Sequence, residues 1–247
     1  MVTLTDRGVT TVTPPTSPRG DLIVLNRGEP TVITVHTALT QATSIHWHGL
    51  ELESWSDGVA GISGIGTQVA PAIAPSDSLV ARLTLKRAGT FIYHTHLTDH
   101  AQLSAGLYGP LVVLEPGQRW DPAKDMVFTA GLDATALKGP AVNGGSGEGE
   151  FVIRVGQRMR LRFVNIQPEW PATFELVRDS LVTTWRPVAK DGFELPVSQS
   201  VSGAARRILN PGETFDATWV APATGVYQVR MISPTGQGAY RRVLRVR

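Results

Sequence analysis

Four histidines stand in two His-x-His pairs, His46/His48 and His94/His96. On a β-strand, residues i and i+2 project from the same face. Each pair therefore offers two imidazoles to one side, with Trp47 or Thr95 turned to the other. If the two strands lie side by side, four imidazoles converge on one place. Imidazole nitrogen suits copper and zinc. A single pair would read as two half-exposed surface side chains; two pairs on neighbouring candidate strands read as a metal site. Neutral imidazole is needed, so metal affinity should fall as pH drops below about 6.5. All six His lie between positions 36 and 100. His36 and His100 are lone residues and read as structural or solvent-exposed, although His100 follows His96 closely enough to be a stray ligand.

Composition removes several other chemistries. The chain contains no Cys, so it has neither a disulfide framework nor a thiolate ligand. No Gly-x-Ser-x-Gly elbow and no phosphate loop is found, which sets aside a serine hydrolase and a nucleotide-binding protein. The formal net charge is only +2. Arg241, Arg242, Arg245 and Arg247 read as the polar face of a last strand, and no nucleic-acid partner is expected. No apolar run approaches the roughly 20 residues that span a bilayer, so no membrane partner is expected either. Residues 1–20 lack the zones of a signal peptide. The expectation is a cytoplasmic chain, or one whose leader has been removed.

The elements that must position the histidines are strands. The 247 residues include 25 Gly and 17 Pro, which suits many short strands and turns. Segments 21–26, 31–39, 43–52, 78–85, 89–96 and 107–114 read as strands, with 58–75 a long loop between the two His pairs. Segments 125–132, 150–166, 173–177, 183–189, 214–220, 225–232 and 240–246 read as a second set. Within 151–164, apolar and polar residues partly alternate, the pattern of a strand with one face buried. Segment 138–149 reads as a loop, and no amphipathic helix is evident. The expected fold is all-β, two tandem Greek-key β-sandwiches: an arm at 1–20, a first domain at 21–116 carrying the His pairs, and a second at 117–247. The second holds no His and no Cys, and is expected to serve packing and interfaces.

The flanking residues carry a resemblance. Ser44-Ile45-His46-Trp47-His48-Gly49-Leu50 resembles the first copper signature of the multicopper oxidases, the laccase family, and Gly89-Thr90-Phe91-Ile92-Tyr93-His94-Thr95-His96 resembles the second. Asp57-Gly58-Val59, Thr67-Gln68 and Pro75 are similar to the family's connecting segment, and residues 106–113 to its exit strand. The likeness covers about residues 20–116. More loosely, residues 156–165, Asp191-Gly192 and residues 210–213 resemble a second cupredoxin domain.

The resemblance implies cupredoxin-like sandwiches and copper as cofactor. It implies that His46 binds a type 2 copper, and that His48, His94 and His96 bind a type 3 pair. Three coppers so placed reduce dioxygen to water. Asp57 falls where the family often has an acid that assists proton delivery; by itself it is equally a turn-forming Asp before Gly58. A complete trinuclear site needs eight His, and the motifs for the other four, with the type 1 Cys, are absent. Two expectations follow. Either a type 1 copper-containing cupredoxin partner or a homo-oligomer completes the site, or the chain stands alone as a copper-binding or carrier protein. The family likeness also implies a periplasmic or extracellular location.

Overall fold

Alternation of buried and exposed side chains shapes the first set of strands. In the computed structural model these are β1 (Ile23–Asn26), β2 (Pro30–His36), β3 (Ile45–His48), β4 (Ser78–Thr84), β5 (Gly89–Thr95) and β6 (Tyr108–Leu114). The structure describes residues 4–5, 9–10, 20–97, 99–132, 140–143, 149–234 and 240–247. One four-stranded sheet has the order β1-β6-β5-β3, and β2 pairs with β4 in a second layer. β1 and β6 run parallel; β6 with β5, β5 with β3, and β2 with β4 are antiparallel. Ile33, Val35, Ile45, Trp47, Phe91, Tyr93, Leu111 and Val113 pack together between the layers. That burial is the main stabilising contribution to a sandwich of this kind.

Two departures from the expected strands position the site. The segment expected at 43–52 is a strand only over Ile45–His48, and Gly49 follows at φ 83°. The long loop after it opens with a 3-10 turn, Ser54–Asp57, and then a hairpin pairs Gly64–Ile65 with Gln68–Val69. One short helix, α1 (Asp99–Ser104), follows the second His pair, where no helix was expected. Its six residues are too few to show an amphipathic period.

The second set comprises β7 (Asp125–Leu132), β8 (Pro140–Val142), β9 (Glu150–Ile153), β10 (Arg158–Asn165), β11 (Ala172–Arg178), β12 (Thr184–Lys190), β13 (Thr214–Val220), β14 (Gly225–Ile232) and β15 (Tyr240–Val246). One sheet runs β8-β7-β10-β13-β12, the other β9-β15-β14-β11, with short strands added at the edges. The single strand expected at 150–166 is in fact two strands, in different sheets. Gly156, at φ 77°, makes the turn that moves the chain across, a conformation that suits glycine. Ile153, Met159, Leu161 and Phe163 face the core as the alternation predicts, but Arg162 is buried too, at 3% exposure. It survives there because Asp125 and Asp216 lie 2.8 and 3.0 Å from its guanidinium, and a buried charge requires such pairing.

The chain is thus all-β, two tandem cupredoxin-like sandwiches, and it divides into units Met1–Gln118 and Arg119–Arg247. Most of the arm expected at 1–20, and most of the loop expected at 138–149, lie outside the described residues. Within the arm, Leu4–Thr5 pairs with Val9–Thr10. Among the described residues no helix is long and apolar enough to cross a membrane.

Candidate metal centre

β3 and β5 are neighbours, and their register sets the site. Ile45 faces Thr95, His46 faces His94, Trp47 faces Tyr93, and His48 faces Ile92. Trp47 and Tyr93 point into the core, with ring centroids 6.3 Å apart. The histidines, one residue out of phase with them, occupy the opposite face. Trp47 is 1% exposed, so the burial of this large aromatic fixes the facing of both neighbouring imidazoles.

The four rings converge. His46 lies 5.5, 5.3 and 5.5 Å from the centroids of His48, His94 and His96. His94 lies 5.5 Å from His48 and 5.7 Å from His96. One nitrogen from each of His46, His48 and His94 falls within 4.8 Å of the others. His96 joins this group by its ring contacts.

Hydrogen bonds select which nitrogen is offered. His94 Nδ1 lies 2.6 Å from the carbonyl of Thr95. A carbonyl only accepts, so Nδ1 carries the proton and Nε2 keeps its lone pair. His46 Nδ1 lies 3.0 Å from the Asp57 carbonyl and 3.3 Å from the Asp57 carboxylate. The same logic leaves His46 Nε2 as the ligand atom. His94 Nε2 and His48 Nδ1 face each other at 3.4 Å. That is long for an N–H···N bond, and close to the separation of two nitrogens each about 2.0–2.1 Å from one ion. This donor set therefore fits a nitrogen-preferring transition metal. Burial pushes the His94 pKa down from 6.5 to about 3, assisted by the neighbouring His46, His48 and His96 and opposed by the Thr95 carbonyl. His94 is thus neutral, the form a metal needs.

Asp57 belongs to the surroundings of His46. It ends the 3-10 turn, and its carboxylate also accepts a hydrogen bond from Ser63 at 3.2 Å. Ser63 in turn accepts from the Val59 N–H at 3.0 Å. Gly58 follows at φ 84°, with the Ile45 carbonyl pressed against its Cα where a side chain would stand. Ser63 and Gln102 contact this machinery without matching any pattern that sequence reasoning singles out, and Thr95, which the motif includes only as a spacer, supplies the carbonyl that meets His94. His36 is exposed at the end of β2, away from any metal-ligand group found among the described residues. The side chain of His100 lies outside the described residues.

The family profile described as multicopper oxidase matches residues 7–118. Laccase abr2 of Aspergillus fumigatus is 36% identical over 127 residues, covering 51% of this chain and 20% of the laccase. Laccase-5 of Trametes versicolor is 29% identical over 244 residues, covering 83% of this chain and 45% of its own. The chain thus spans less than half the length of these curated relatives. Among solved structures, a blue copper oxidase from Nitrosomonas europaea superposes with a TM-score of 0.75 at 19% identity, covering 93% of this chain and 77% of that one. At that identity the likeness bears on the fold alone. Over residues 7–118 the chain carries a multicopper oxidase domain, and copper is the cofactor that this domain implies.

Proposed function

We propose that this chain supplies one half of a type 2/type 3 trinuclear copper site for dioxygen reduction. His46 is assigned to the type 2 copper, and His48, His94 and His96 to the type 3 pair. The observation that supports this most is the β3–β5 register, which sets His46 opposite His94 and leaves His94 Nε2 and His48 Nδ1 at 3.4 Å. Copper, when bound, would supply the one-electron steps by which dioxygen is reduced. The protein's own part is to hold neutral imidazoles with their ligand nitrogens turned to one place. The Asp57 carboxylate, 3.3 Å from His46 Nδ1, is assigned the role of holding a proton beside the site.

The remaining ligands and the electron-entry copper would come from a type 1 copper-containing cupredoxin partner, or in part from further copies of this chain. A periplasmic or extracellular location is proposed on the same basis. Elemental analysis after copper loading tests the binding. The intact chain is expected to retain copper, and His46→Ala and His94→Ala each to lose most of it. An intact chain that retains none would overturn the proposal. Oxygen uptake with a phenolic donor is expected only after a Cys-containing cupredoxin chain is added. The second reading, a stand-alone copper carrier, is favoured by the absence of Cys and by the confinement of all six His to positions 36–100. It predicts copper retention with no oxygen uptake under either condition.

A further inference from the structure

Behind the His94–His96 segment lies a buried amide. Gln102, on α1, is 7% exposed, and its two hydroxyl neighbours, Thr43 and Thr95, are 2% and 0% exposed. Gln102 Oε1 accepts hydrogen bonds from the hydroxyls of Thr95 at 2.6 Å and Thr43 at 2.8 Å. Its Nε2 donates to the carbonyl of Ala42 at 2.9 Å. The amide has one workable orientation. Turned over, its oxygen would meet the Ala42 carbonyl, acceptor against acceptor. The backbone adds to the tie: Leu107 N–H donates to the Gln102 carbonyl at 3.0 Å, and Thr95 N–H to the Leu107 carbonyl at 3.0 Å.

This one side chain therefore joins the approach to β3, at Ala42 and Thr43, to the end of β5, at Thr95. Those two places lead into the two His pairs. Thr95 stands between His94 and His96, and its carbonyl receives the His94 Nδ1 proton at 2.6 Å. Filling space alone would not need an amide, because an apolar side chain of the same size does that without desolvating polar groups. The polar triad adds direction instead. It fixes Thr95 in both position and rotation.

We propose that Gln102 is a positioning residue of the copper site. Through Thr95 it fixes the carbonyl that keeps His94 in its Nδ1–H tautomer, with Nε2 toward the metal. The proposal rests on the copper reading above, yet its geometry is a property of the metal-free chain. That separates the two in a test.

The full chain would be compared with Gln102→Leu, Thr95→Val, Thr95→Ser and the double variant Thr95→Val/Gln102→Leu. Copper(II) dissociation constants are read at a temperature where each variant is shown to be folded. Nitrogen-15 spectra of the histidine rings, taken without metal, report the His94 tautomer. Gln102→Leu and Thr95→Val should each weaken copper binding by roughly 10–100-fold, the usual effect of losing an outer hydrogen-bonding partner, and should mix the His94 tautomers. Thr95→Ser, which keeps the hydroxyl, should preserve both. The double variant should lose little more than the worse single, because the two residues act as one unit. Unchanged affinity and tautomer in Thr95→Val and Gln102→Leu, with only a lower melting temperature, would overturn the proposal. So would a double loss equal to the product of the singles. Should Gln102→Leu fail to fold, the contrast between Thr95→Val and Thr95→Ser decides. Should the intact chain take up no copper, the copper reading fails, and the tautomer spectra alone decide the role of Gln102.

Discussion

At the scale of single residues, His94 shows what burial does to a ligand. Its pKa is lowered from 6.5 to about 3, chiefly by desolvation. In the unfolded chain the same imidazole takes up a proton near 6.5, whereas the folded form resists protonation until near 3. Between those values the unfolded state binds more protons, so folding stability rises with pH there and is lost as pH falls. Denaturant midpoints of the metal-free protein are therefore expected to decline from about pH 6.5 downward. The contribution from this group is at most roughly 1.4 kcal/mol per pH unit. His94→Gln should flatten that part of the profile. An unchanged slope would mean that His94 is protonated in the fold. The same buried state prepares the ring for metal, since no proton need leave it before binding at neutral pH.

Among the elements, the 3-10 turn and β3 depend on one another through Gly58. Its positive φ of 84° and the adjacent Ile45 carbonyl leave no room for a methyl group. Gly58→Ala is expected to lower stability by about 2–3 kcal/mol in urea unfolding and to weaken copper binding through a displaced His46. Gly61→Ala is a useful contrast: its φ is also positive, but nothing crowds its missing side chain. The two His pairs were legible in the sequence because a period of two is the whole of the strand signal, and Trp47 and Tyr93 declare which face is buried. The strand break at Gly156 was not, since Arg154 and Arg158 keep the same phase on either side of it and the period of two runs on through the turn. Gln102 was equally silent. Its meaning comes from Ala42, Thr43 and Thr95, which are near it only after β3 and β5 have paired. Asp57 was legible as a turn-forming residue before Gly58 and, through the family likeness, as an acid of the site, but its contact with His46 was not, because that depends on how the turn folds back on β3.

Over the whole molecule, the two units depend on different interiors. The second encloses a buried ionic group, in which Asp216, 1% exposed, accepts from Arg160 at 2.7 Å and Arg162 at 3.0 Å. Removing the shared carboxylate takes from the buried Arg162 one of the two carboxylates seen against it among the described residues, Asp125 being the other. Asp216→Ala is expected to destabilise the second unit by roughly 3–5 kcal/mol. Fluorescence of Trp185 and Trp219, both in that core, would report the earlier transition; a change below about 1 kcal/mol would show the pairing to be of little consequence. In the first unit, the antiparallel pairing of β3 with β5 also limits how the gene can change. Loss of one codon within β3 turns the later side chains over, sending an imidazole inward and bringing an aromatic ring to the metal face. Loss of two restores the facing but moves the ligands one pair along, so that His46 no longer stands opposite His94. Heritable changes of length are therefore expected to be excluded from β3 and β5 themselves, where only point changes that spare the ligands and keep each side chain's facing remain open.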